Sequence, residues 1–124
     1  MRQARGFTLI ELLAVLAIVG LLLALASPRY FRSVDNARET VLAENLRITR
    51  TAIDQFHADS GRYPEALEEL VARRYLRGMP VDPVIGASTA WIIIAPPPGV
   101  PGRVADLKSS ARGTGRNGLP YAQW

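Results

Sequence analysis

From Phe7 to Ala26 the chain runs for 20 residues with a single charged side chain, Glu11, and meets no proline until Pro28. As a helix this run is about 30 Å long, the thickness of a bilayer core. Three fates are open to such a segment: a secretory signal peptide that is removed, a plain membrane anchor, or an assembly helix that stays after a short leader is cut away. The first has support, because Met1 to Arg5 is a short basic region, Leu12 to Leu25 an apolar core and Ala24-Leu25-Ala26 a small-x-small cleavage signal. Glu11 argues against it and against the plain anchor. A carboxylate in an apolar span costs about 2.5–3.5 kcal/mol on insertion scales and is by default a functional residue. A disposable leader has no use for that cost.

In lipid, Glu11 needs a positive partner. The nearest candidate is the α-amino group that cleavage between Gly6 and Phe7 would create, on the same chain or on a neighbouring copy. The run Gly6-Phe7-Thr8-Leu9-Ile10-Glu11-Leu12-Leu13 resembles the processing motif of type IV prepilins and type II secretion pseudopilins. The resemblance implies that a prepilin peptidase of the inner membrane cuts after Gly6 and methylates Phe7, and that Glu11 is the assembly residue. Pro28 matches a proline that the family places at the end of the span, where a missing backbone donor kinks or locally unwinds a helix. Residues 1–6 are then the leader, 7–28 the transmembrane and assembly helix, and 29–124 a periplasmic domain. Charge counting leaves the topology open, since Arg2 and Arg5 precede the span and Arg29 and Arg32 follow it. The resemblance, not the arginine count, puts the N-terminus in the cytoplasm.

Average composition (48% hydrophobic, 21% charged) hides this division between an apolar end and a charged remainder. The 124 residues leave room for one compact domain. A soluble part of about 95 residues buries only around two thirds of its unfolded surface and has little stability to spare. Cysteine is absent, which excludes disulfides, thiolate metal sites and a cysteine nucleophile. The net charge is +4, with 14 arginines to one lysine, but the charges are mixed in sign and no basic stripe alternates with aromatics. No nucleic-acid partner is expected.

Beyond Pro28, Val34, Ala37, Val41, Ile48, Ala52 and Phe56 recur at helical spacing, widened by Leu42, Leu46 and Ile53. This predicts a continued amphipathic helix, ended by Asp59-Ser60-Gly61. Pro64 suits the first position of a short second helix, Glu65 to Arg73. Trp91-Ile92-Ile93-Ile94 has the bias of a buried strand, Arg103 to Lys108 can return antiparallel to it, and Leu119 to Trp124 can add an edge strand. The fold class is α+β and pilin-like: a long N-terminal hydrophobic and amphipathic helix packed on a small antiparallel sheet. From Ala52 to Pro83 the chain also resembles the major pseudopilin of type II secretion, so that the likeness covers about 80 residues and weakens from Ile85 onward.

Pseudopilins of that type hold calcium in an aspartate-rich C-terminal loop. Here the acidic residue after Asp82 is Asp106, and the loop from Ser109 to Gly118 carries Arg112 and Arg116 instead. Calcium takes six to eight oxygens, several of them carboxylate, so no metal site is expected and no cofactor is implied. Catalytic constellations are missing as well. His57 is the lone histidine on a charged helix, Glu68 and Glu69 are adjacent and diverge on a helix, Asp82 lies between residues suited to a turn, and Ser109-Ser110 has no histidine nearby.

The resemblance implies a structural subunit, not an enzyme: a pseudopilus component that packs with copies of itself in a helical filament and helps extrude folded proteins through the outer membrane. Its implied partners are the prepilin peptidase, other pseudopilins, inner-membrane secretion components and membrane lipid. Two alternatives remain, a type IV pilus subunit for adhesion, twitching or DNA uptake, and a soluble periplasmic binding module cleaved after Ala26.

Overall fold

In a computed structural model, which describes residues 5–124, Thr8 caps a helix that starts at Leu9. Its hydroxyl accepts from Glu11 N at 3.2 Å, and Glu11 Oε2 accepts from Thr8 N at 2.9 Å. This reciprocal Thr-x-x-Glu capping box satisfies donors that have no partner within the first turn. Helix α1 then spans Leu9–Ser60. It is helical on both sides of Pro28, without local unwinding, although the missing N–H leaves the Ala24 carbonyl with no i+4 donor. The chain divides into one unit ending at Asp35 and a second, Asn36–Trp124.

Within the first unit the apolar side chains of α1 are exposed, Leu9, Ile10, Leu16 and Leu25 among them. Within the second, the buried side of α1 is formed by Leu42, Leu46, Thr49, Ala52, Ile53 and Phe56. This face is rotated from the sequence stripe, because Val41 and Ile48 are exposed and Thr49 is buried. Thr49 reaches burial by donating its hydroxyl to the Asn45 carbonyl at 2.7 Å, which satisfies its one polar group.

Helix α2 is shorter than predicted, Leu67–Ala72. The Pro64 carbonyl is taken by Arg103 N (3.1 Å) and Val104 N (3.0 Å), which ties that residue to a neighbouring segment instead of a helix start. Gly102 allows the approach: its φ is +111°, and a Cβ there would come within 2.3 Å of the Tyr63 carbonyl oxygen. Glu69 fixes the region. Its carboxylate binds Arg62 and accepts from Glu65 N at 2.8 Å, while the Arg62 guanidinium lies 5.0 Å from the Phe56 ring centroid. The hydrogen bond from Arg62, reinforced by that from Glu65 N, lowers the Glu69 carboxyl pKa to about 2. A folded-state pKa below the unfolded value stabilises the fold above the unfolded pKa and loses that contribution as pH falls toward 2. With allowance for solvent screening it is about 1–2 kcal/mol. Thermal unfolding of Glu69→Gln is therefore expected to differ from wild type at pH 7, with the difference closing as the pH is lowered through the carboxylate range.

Strands β1, Trp91–Ile94, and β2, Asp106–Ser109, pair antiparallel, with Trp91 opposite Ser109 and Ile94 opposite Asp106. Trp91 is buried and its indole N–H donates to the Pro80 carbonyl at 2.9 Å. Ile92, Ile93 and Ile94 are exposed, so β1 is not the buried strand its composition suggests. Leu107, Val104, Trp91, Leu67 and Leu70 join the buried face of α1 in one core. The last edge strand does not form. Thr114 and Pro120 make an isolated bridge, and Tyr121–Gln123 turn into a 3-10 helix, since Pro120 has no N–H to extend a ladder. The architecture remains that of a pilin-like α+β domain, a long apolar-to-amphipathic helix with a small two-stranded antiparallel sheet.

Candidate functional site

The proposed cleavage point lies just outside regular structure. Gly6 and Phe7 precede α1, and Phe7 is 91% exposed. A Cβ on Gly6 would meet nothing within 4 Å, so packing of this chain does not require glycine there. Residues 1–4 of the leader, Arg2 with them, lie outside the described residues. A peptide bond outside regular structure, next to a residue without a side chain, is open to a protease in a way that a helical bond is not.

Glu11 sits in the first turn of α1, with its carboxylate on the backbone N–H of Thr8. Sequence reasoning assigned it to an N-terminal amine and overlooked Thr8, although Thr-x-x-Glu before an apolar run is a recognisable signal. The capping box occupies one carboxylate oxygen with Thr8 N. A carboxylate has about four acceptor positions on two oxygens, so it can hold the cap and still accept a charged donor. Downstream of the box, α1 is long and apolar enough to cross a membrane, and none of its apolar window is buried in the chain itself. At the end of the span Tyr30 and Phe31 are exposed and meet edge to face at 5.9 Å between centroids, flanked by Arg29 and Arg32. Such aromatic and cationic side chains suit a membrane–water boundary.

His57, Asp82 and Ser109, considered for chemistry, have structural partners. The His57 ring stacks on Tyr63 at 4.2 Å. Asp82 is fully buried: its carboxylate accepts from Val84 N at 2.9 Å, from Ile85 N at 3.3 Å and from the Ser109 hydroxyl, while its backbone pairs with Ala87. It turns the chain, as its sequence setting suggests, and also joins the 82–87 turn to β2. Tyr75 donates to Asp59 at 2.6 Å, a bond that raises the phenol pKa.

The C-terminal segment does not fit a calcium ion. Asp106 Oδ1 accepts from Arg50 Nε at 2.8 Å and from Leu107 N at 2.7 Å, so it is already committed. Among the described residues no three His, Cys, Asp or Glu side chains converge on a metal position. Glu39, another carboxylate near this segment, accepts from Arg116 N at 3.2 Å and from the Tyr121 hydroxyl at 2.8 Å.

The chain has relatives among known proteins. The family described as "Prokaryotic N-terminal methylation motif" matches residues 1–27. The chain is 35% identical over 98 residues to type II secretion system core protein G of Pseudomonas aeruginosa, covering 66% of this chain and 69% of that protein. To the protein of the same name from Klebsiella pneumoniae it is 31% identical over 99 residues, covering 67% and 71%. To the type IV major pilin protein PilA of Myxococcus xanthus it is 36% identical over 66 residues, 53% of this chain but 30% of the pilin. No solved structure matches it. On its N-terminal motif, its fold and these relatives, the chain belongs to the type II secretion core protein G family of pseudopilins.

Proposed function

We propose that the chain is a structural subunit of a type II secretion pseudopilus, stored in the inner membrane by α1 and assembled into a helical filament with copies of itself. The observation that carries this reading is the N-terminal arrangement: an exposed Gly6-Phe7 pair outside regular structure, a capped helix start with Glu11 in its first turn, and an apolar rod that its own chain leaves uncovered. A prepilin peptidase cuts after Gly6 on the cytoplasmic side and methylates Phe7. The single-pass helix holds the domain on the periplasmic face, and Pro28 bends α1 near the membrane boundary. Glu11 then accepts the N-terminal amine of a neighbouring subunit, which sets the axial register. One interface repeated head to tail without closure produces a filament, and its growth beside other pseudopilins and inner-membrane secretion components pushes folded proteins toward the outer membrane. The chain contributes geometry and no chemistry of its own. The likeness to type IV pilins supports a second reading, a pilus subunit with the same processing.

The test of processing is mass spectrometry of the protein isolated from membranes. A chain beginning at N-methylated Phe7 is the expected result. A chain beginning at Ser27 would return the soluble binding module, and an intact Met1 would remove the peptidase from the account.

A further inference from the structure

Two separate stretches of the C-terminal segment meet on one guanidinium. Arg50 Nε donates to Asp106 Oδ1 at 2.8 Å, and Arg50 Nη2 donates to the Leu107 carbonyl at 3.0 Å and to the Trp124 main-chain oxygen at 2.7 Å. One side-chain carboxylate and two main-chain oxygens around a single positive charge are the kind of oxygen set that a hard divalent cation collects. Here the charge is covalently part of α1. Its planar fork holds several donors in fixed directions, and it stays charged at every physiological pH. The rest of the segment closes around that point. Glu39, about three turns earlier on α1, holds Arg116 N and the Tyr121 hydroxyl. Trp124 packs against Tyr121 with 5.4 Å between ring centroids. Trp124 also lies over Gly115, where a Cβ would come within 2.3 Å of its ring.

We propose that Arg50 is a built-in cation site, which closes residues 107–124 onto α1 in place of a bound metal ion and makes the folded domain independent of calcium. The disagreement between the calcium loop of resembling pseudopilins and the oxygen set of this chain then has a physical resolution: the oxygens that need a cation already have one. Lysine could not substitute fully, since its ammonium is a compact point charge that cannot span the same oxygens in one plane. The proposal concerns only the second unit and stands whether the filament belongs to a secretion or a pilus machinery.

Trypsin provides the readout, because Arg112 and Arg116 are exposed in the segment and cleavage after them follows how often it opens. The full chain in detergent micelles is digested in millimolar calcium chloride or in chelator, and the products are identified by mass. Wild type is expected to be cut at these two sites equally slowly in both. Arg50→Gln should be cut on the order of tenfold faster, with Arg50→Lys and Asp106→Asn in between. If Arg50→Gln does not fold, the last two variants carry the test. Wild-type cleavage rates in the variants that fold, or clear protection of the wild-type protein by calcium chloride, would overturn the proposal.

Discussion

Replacing Glu11 by alanine is expected to abolish filaments while leaving membrane insertion and cleavage after Gly6 intact. The substitution makes the span more apolar and does not touch the cut site, so processed monomer should accumulate in the membrane. The capping box complicates a bare alanine result, because Glu11→Ala also removes the acceptor for Thr8 N, and a lost cap costs about 1 kcal/mol of helix stability. Glu11→Gln separates the two roles. Glutamine keeps the box, in which it serves as well as glutamate, but carries no charge for an incoming amine. If the charge pair guides assembly, both variants fail, with filament yield falling by on the order of tenfold or more, since an unpaired amine in lipid has no equivalent acceptor. If only the cap matters, Glu11→Gln assembles normally and Glu11→Ala does not. Sedimentation of sheared filaments, with cross-linking of the membrane fraction, distinguishes these results.

Asp82→Ala is expected to be the most damaging substitution in the soluble domain. The side chain is fully buried and its carboxylate serves three donors, two backbone N–H groups and the Ser109 hydroxyl. Alanine leaves all three without their acceptor, away from water, at a cost of about 3 kcal/mol. For a domain of this size that lowers the melting temperature by something like 10–20 °C. Asp82→Asn keeps the shape and one acceptor oxygen and should cost about 1–2 kcal/mol. Trp91, whose indole binds the Pro80 carbonyl two residues before Asp82, is a local probe: its fluorescence during thermal unfolding should report both shifts in that order. Equal melting temperatures for wild type and Asp82→Ala would show that the network contributes nothing.

The parts of this molecule that follow from local rules could be read from its residues. The apolar helix at the N-terminus, the end of α1 near Gly61, the pairing of Trp91–Ile94 with a later strand and the turn at Asp82 all rest on composition or spacing. What escaped depends on partners that residue type and spacing do not reveal. The buried face of α1 runs through Thr49 and not Ile48, and a hydroxyl that can bond back to Asn45 reads as polar until its partner is seen. Pro64 has the character of a helix start, but its carbonyl is claimed by Arg103 and Val104 about forty residues on. Leu119 to Trp124 has strand-like composition, yet Arg50 and Glu39 hold its residues from the side. At the site, Glu11 stood out for its cost in lipid. Thr8 did not, although its spacing of three residues from that same Glu11 is the signature of a capping box.

A subunit of an export filament is tested most directly by export itself. In cells lacking the chain, proteins normally released to the medium are expected to be retained folded in the periplasm, and wild type but not Glu11→Ala should restore their release. Surface pili and twitching should be unaffected. Undiminished export together with loss of surface fibres would contradict the account and leave a pilus subunit in its place.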